Sequence, residues 1–436
     1  MAAPKRLASI DRAWWLGLVG VVAAGVLVRA AYVFVVLDGV APGLDAIWYS
    51  LQGGSIKDGT GFVAPTSLFQ ERTIPTAGFP PVYPAYQAFW QWLFGGDPTT
   101  VRLAGLIPGA VTIVVVGLAG RQVLGRRGGL IAAFVVALDP SLLAVDGSGM
   151  SENVTVPLVA VATLLAYRIA TKGLRAGPVI ALGLVCGLAA LSRQDLLLLL
   201  PLAAVPAVVW APSANGWRRI GAGAALVALA ALVVVPWAWR NHREVGSFTV
   251  STLSPSSALA GSNCPDVYAG SSIGSWSYPC VAAVAVPPGG GEVDLAAAQQ
   301  RAATRFARSN LDRLPAVVAA RQVRVWSLWD PRDLARRDAD ESRRYGWQLA
   351  ARPIDALFAV VGIAGLAVMV RTRGRRTALF AAPCALVAFA ALVSYGNPRF
   401  NSIAHPALAL GLACLVDRAL SRRHPATRPA RSAAHA

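Results

Sequence analysis

The chain has 436 residues, 55% of them hydrophobic and only 14% charged, with a mean hydropathy of +0.53 and a formal net charge of +18. Apolar runs of about 20 residues recur, each long enough to cross a bilayer, which excludes an ordinary soluble domain. The sequence predicts an all-α polytopic membrane protein with about ten transmembrane helices and two large extracytoplasmic loops containing interfacial helices.

In chain order the expected spans are 13–37, 100–120, 128–146, 153–170, 176–192, 196–211, 220–238, 353–370, 377–394 and 402–420. The first run is too long for a removed signal peptide, and it carries Arg29 deep in its apolar length. Every second junction is basic: Lys5, Arg6 and Arg12; Arg121, Arg126 and Arg127; Arg168, Lys172 and Arg175; Arg218 and Arg219; Arg371, Arg373, Arg375 and Arg376; then Arg418 to Arg431. Those junctions hold half of the 40 lysines and arginines but only Asp11 and Asp417 of the 22 acids. Lysine and arginine in short loops stay cytoplasmic, so both termini are expected inside a plasma membrane. The net charge then reflects orientation and contact with anionic membrane lipids and calls for no nucleic acid.

This reading divides the chain into an N-terminal membrane module at 1–238 and an extracytoplasmic segment at 239–352. A C-terminal membrane module at 353–422 and a disordered cytoplasmic tail at 423–436 follow. The first outer loop, 38–99, ends in an aromatic stretch suited to an interfacial helix. The second contains a helical stretch from Glu292 to Asn310, then an apolar segment interrupted by Arg321 and Arg324, expected at the interface rather than across it. Cys264 and Cys280 lie in that loop, in an oxidising compartment, and are expected to close a Gly/Ser-rich lobe as a disulfide. Cys186, Cys384 and Cys414 fall inside spans and read as packing thiols. No Walker loop, dinucleotide fingerprint, CxxC pair or HExxH occurs.

Ionisable side chains near membrane depth are costly and therefore informative. Here they collect at the outer ends of spans: Asp45; Asp146 and Glu152; Arg193 and Asp195; Arg240, His242 and Arg243; Arg399 and His405. The inner junctions show nothing similar, so a site on the outer face is expected. Asp45 has Trp48 and Tyr49 at the next helical turn, which can put a carboxylate and an aromatic pair on one face. The alternative for Asp45 is a helix cap after Gly43 and Leu44.

The order of Asp45, PPVYP at 80–84 and the run 102–140 resembles membrane glycosyltransferases of the GT-C type. The nearest branch is the protein O-mannosyltransferase and lipid A aminoarabinose transferase superfamily. SENVTVPLVAVATLLAY at 151–167, PWAWRNHREVGSFTVSTLSPSSALAGSN at 236–263 and NPRFNSIAHPALAL at 397–410 add to the likeness. Two features depart from it: Asp45 stands alone rather than in an Asp-Glu pair, and Phe400 replaces the usual tyrosine.

The resemblance implies a polyprenyl-phosphate sugar as donor and an acceptor hydroxyl on a glycan, lipid or protein. It implies transfer on the extracytoplasmic face by inverting displacement, with Asp45 as general base. Arg240 and Arg399, with His242 as a third, would meet the donor phosphate, because a guanidinium fork pairs two phosphate oxygens. Asp146, Glu152, Tyr49 and Tyr83 would position the acceptor or a divalent cation, magnesium or manganese. The 37 arginines against three lysines suggest a high-GC genome, which makes mannose or arabinose a reasonable sugar. A transporter or flippase of a lipid-linked substrate is the rival reading. Transporters keep their charges near the midplane and show paired broken helices, a pattern absent from this sequence.

Overall fold

The computed structural model describes residues 3–423, so the tail expected beyond the last span lies outside the described residues apart from Arg423. Among the described residues there is no strand, only an isolated bridge between Val63 and Pro75. Among the described residues seven helices are long and apolar enough to cross a membrane, eight when one bent pair counts as a single span. The two other expected spans are shorter apolar helices, Ala176–Ser192 and Gln194–Val209.

Helix α1 (Ala3–Ala31) runs on into a π-helical turn, Tyr32–Val36. Two short outer helices follow, α2 (Leu44–Lys57) and α3 (Val82–Phe94), packed on each other across Gly53 and Gln87. On α3, Trp92 and Phe94 remain exposed, as suits aromatic side chains at a membrane interface. The expected third span, 128–146, is broken. Its first half, α4 (Arg126–Leu138), stops at Asp139, and the second, α5 (Pro140–Asp146), leaves at 58°. Pro140 has no N–H for the ladder, and Asp139 caps the new helix by accepting from the N–H groups of Ser141 and Leu142.

Helix α6 (Glu152–Lys172) begins at the outer end of the bundle, and α7 (Gly216–Val245) returns there after the two shorter helices. The outer layer continues with α8 (Ser254–Ser262), α9 (Glu292–Arg308), α10 (Leu314–Val325) and α11 (Pro331–Ala339). On α10 the two expected interruptions do not face lipid. Arg321 donates to the carbonyls of Ser262 and Leu392, and Arg324 to that of Ile273 and to Asp333. They fasten the cystine lobe to a membrane helix through fixed carbonyls and the Asp333 carboxylate. The lobe is closed by the Cys264–Cys280 disulfide, as expected.

Three helices complete the bundle: α12 (Tyr345–Arg373), α13 (Ala382–Val393) and α14 (His405–Arg423). The eighth span thus starts eight residues before its expected edge at Pro353, which α12 accommodates within its outer end. Between α12 and α14 the backbones touch. A Cβ on Gly365 would lie 2.2 Å from the carbonyl oxygen of Gly411, and one on Gly411 2.2 Å from that of Gly362. Only glycine permits this approach, as in membrane helix pairs that meet through small residues.

Candidate active site

The outer ends of these helices and the outer layer enclose a cavity of about 1300 Å³. Gly43 caps α2, and its N–H donates to Ser342 Oγ, which ties the first turn of α2 to the segment after α11. Asp45 sits in that first turn and makes no capping hydrogen bond itself, so the capping alternative does not hold. It faces the cavity with Trp48 and Tyr49, and its side chain is 42% exposed.

Arg399 is the hub. It is nearly buried, with its Nε 3.1 Å from Glu152 Oε1 and its Nη1 3.4 Å from Asp45 and 3.6 Å from Glu341. Arg193 reaches the same Glu152 oxygen at 3.0 Å and holds Asp195 through Nε and Nη2 at 3.2 and 3.1 Å. Glu152, 1% exposed, therefore anchors two guanidiniums from different segments. Both arginines also lie against the ring of Phe400, with centroids at 4.8 and 5.6 Å, so the residue that departs from the family pattern serves as their cation–π support. Burial raises the Glu341 carboxyl above its ordinary range, and burial likewise raises the phenol of Tyr49.

The outer rim is held from within the bundle. Asp338 pairs with Arg343 and Arg352, each at 3.2 Å; Arg352 meets Asp355 at 2.9 Å; His405 bridges Asp355 and Asp139 at 3.1 and 2.6 Å. All six side chains are at most 3% exposed. Such a chain of fully buried ions holds its geometry only because every member has a partner.

The sequence-derived residues thus fall into two groups. Asp45, Tyr49, Glu152 and Arg399 line the cavity together, joined by Arg193 and Asp195, which the sequence placed at the outer face without a role. Asp146 does not line it: it is buried against Arg29, whose Nε donates to Asp146 Oδ2 at 2.6 Å. Tyr83 is fully buried and accepts from Gln87 at 2.6 Å. Arg240 donates to the carbonyls of Phe62 and Thr76 at 2.6 and 2.7 Å, and His242 stacks on Phe248 at 3.9 Å, both away from the cavity. Glu341 and Asp338 were missed, because they sit in a stretch dense with surface charges where no spacing singles them out. Cys264, Asp266 and Cys280 bring two sulfurs and a carboxylate together, but the disulfide removes both thiolates that a metal would need.

Residues 79–239 match the family model for dolichyl-phosphate-mannose-protein mannosyltransferase. No curated protein matches the chain significantly by sequence. Among solved structures it is similar to the oligosaccharyltransferase AglB from Archaeoglobus fulgidus, solved with an inhibitory peptide and a dolichol-phosphate. That match has a TM-score of 0.50 and 16% identity over 94% of this chain and 52% of the other. The apo form of the same enzyme gives a TM-score of 0.51 with 15% identity over 93% and 52%. ArnT from Cupriavidus metallidurans, bound to undecaprenyl phosphate, gives 0.43 with 14% identity over 94% and 79%. The chain spans about half the length of the archaeal enzyme it matches. The fold is that of GT-C glycosyltransferases, and the resemblance read from the sequence stands on the family match and the fold together.

Proposed function

We propose that the protein is a membrane glycosyltransferase that moves a sugar from a polyprenyl-phosphate donor to an acceptor hydroxyl in this cavity. The observation that carries the reading is a cavity where an accessible carboxylate, Asp45, lies 3.4 Å from Arg399, which shares the buried Glu152 with Arg193. The acceptor oxygen attacks the sugar carbon that bears the phosphate, from the side opposite the phosphate. The carbon–oxygen bond to phosphate breaks with its electron pair on the phosphate, and the acceptor proton passes to Asp45. Arg399 lies 3.4 Å from Asp45 and orients it, while Arg399 and Arg193 meet the charge that gathers on the leaving lipid phosphate. Undecaprenyl phosphate and dolichol-phosphate, carried by the two similar proteins, are the chemistry such a pair suits.

Arg193 and Arg399 are together paired with four carboxylates, Asp45, Glu152, Asp195 and Glu341. Among the described residues only Cys264, Asp266 and Cys280 bring three metal-ligand atoms together, and Arg193 holds both Asp195 oxygens, so these carboxylates do not fit a magnesium or manganese site.

Purified protein and the Asp45→Asn variant, assayed by mass spectrometry against a panel of polyprenyl-phosphate sugars, test the reading. Loss of a general base costs about 100-fold to 10,000-fold in turnover, and donor binding should persist. Wild-type turnover in the variant removes Asp45 from the chemistry. Binding without transfer to any acceptor, together with movement of the lipid across vesicles, favours the transporter.

A further inference from the structure

Aromatic faces left open to water are disfavoured unless something covers them. A run of such rings leads away from the candidate site along the cystine lobe. Tyr278 is 59% exposed on the cavity wall. Its ring lies 6.2 Å from that of Trp276, and Trp276 lies 6.2 Å from Tyr395. Tyr395 in turn stands edge-on to Phe400 at 4.9 Å, and all four residues line the cavity. Phe400 is the ring that supports Arg193 and Arg399, and Arg399 lies 3.4 Å from Asp45. The rings thus form a track from the lobe to the carboxylate that takes the acceptor proton.

Local structure fixes the outer part of this track. Trp276 sits over α8, where Gly261 makes room: a Cβ there would fall 2.2 Å from the indole Nε1. That N–H donates to the Ser257 carbonyl at 3.2 Å, so Trp276 has only its ring to offer a ligand. The disulfide joins Cys264 to Cys280, each two residues from Asp266 and Tyr278 respectively, and draws those two segments together. Ser277 Oγ donates across the gap to Asp266 Oδ2 at 2.7 Å. Asp266 is exposed on the cavity wall, and among the described residues its Oδ1 has no partner, so it is free to accept.

Flat faces beside an accessible carboxylate suit few ligands. A polyprenyl tail would cover the rings but bury the charge of Asp266 without a partner, and a phosphate would be repelled by it. A peptide brings a flat face only where it has an aromatic side chain. A neutral sugar chain brings an apolar C–H face and donating hydroxyls with every residue. Resting on the transferase reading, we propose that the acceptor is a neutral glycan bound along this track. Its sugars lie on Tyr278, Trp276 and Tyr395, one hydroxyl donates to Asp266, and the terminal hydroxyl is presented to Asp45.

The test measures binding to the purified full chain by thermophoresis with three kinds of probe. One is undecaprenyl phosphate; another is a panel of neutral oligosaccharides of mannose, arabinose, glucose, galactose or rhamnose; the last is a serine- and threonine-rich peptide. At least one oligosaccharide should bind the wild type, and more tightly than its monosaccharide. Tyr278→Ala and Asp266→Ala should each weaken that oligosaccharide about tenfold and leave undecaprenyl phosphate within about twofold. Tyr278→Phe keeps the ring and should retain binding, which separates stacking from a folding defect.

Oligosaccharide binding that survives both Tyr278→Ala and Asp266→Ala overturns the proposal. So does a Tyr278→Ala variant that loses the lipid phosphate or the peptide instead. A wild type that binds undecaprenyl phosphate but no oligosaccharide sinks the glycan track alone. A wild type that binds neither sinks the transferase reading and the track with it.

Discussion

Single side chains in this protein are most informative where their partners are least expected. Asp146 was legible as an ionisable group near a span end, and Arg29 as an arginine inside a span, yet nothing in the sequence joins residues 117 positions apart. Their pairing follows from cost: neither charge tolerates lipid without the other, and the break at Pro140 brings the acid to the arginine. Arg29 also donates to the carbonyl of Ala137 at 3.0 Å, just before that break. Arg29→Met alone should therefore cost about 3–5 kcal/mol, because it strands a buried carboxylate. Adding Asp146→Asn should recover most of the loss. Thermal unfolding of the two variants in detergent checks this, and a double variant no better than the single one would refute the pairing as the cause.

At the level of elements, the first outer loop is a strap held at both edges. Arg240, on α7, grips the carbonyls of Phe62 and Thr76, while Glu292, at the start of α9, accepts from Thr76 Oγ1 and the Ala77 N–H at 3.1 Å each. Phe79 and Pro80, just beyond these clamps, form part of the cavity wall. The sequence exposed Arg240 as a charge leaving a span but could not say that its partner is backbone, since carbonyls carry no sequence signature.

Burial raises the Glu292 carboxyl above its ordinary value of 4.5, so the folded chain holds this proton more tightly than the unfolded one. The sign follows from linkage. The stability this group contributes is full below its unfolded value and is lost as pH rises through the raised one. Relative to Glu292→Gln, the wild type should therefore be more stable at acidic than at neutral pH. Unfolding curves of both across that range measure the difference, and a gap that does not change with pH contradicts it.

For the molecule as a whole, the periodic apolar runs carried most of the fold: each expected span coincides with an apolar helix or, at 128–146, with a bent pair. Two things were hidden. Helix breaks such as Asp139-Pro140 alter direction without altering hydropathy, and the cavity draws on segments as distant as Asp45, Glu152 and Arg399, whose meeting is purely tertiary. Orientation rests on the basic junctions. It predicts that Arg127→Cys reacts with an impermeant thiol reagent only after cells are opened, whereas Ala285→Cys reacts from outside. The free cysteines Cys186 and Cys414 are buried, and Cys384→Ser removes the half-buried third from the background. Equal labelling of both positions in intact cells would falsify the orientation.

The contact of Gly362 and Gly365 with Gly411 leaves α12 and α14 no slack to slide or part, so the two move as one plate. That plate carries Arg399 at its outer end and, through Asp355 and Arg352, the rim at Asp338. The strap, at Phe79 and Pro80, and the cystine lobe, at Trp276 and Tyr278, supply further walls of the cavity. One wall of the cavity is thus a closely packed helix pair that carries Arg399, while Arg193 reaches the same Glu152 from the end of a different span.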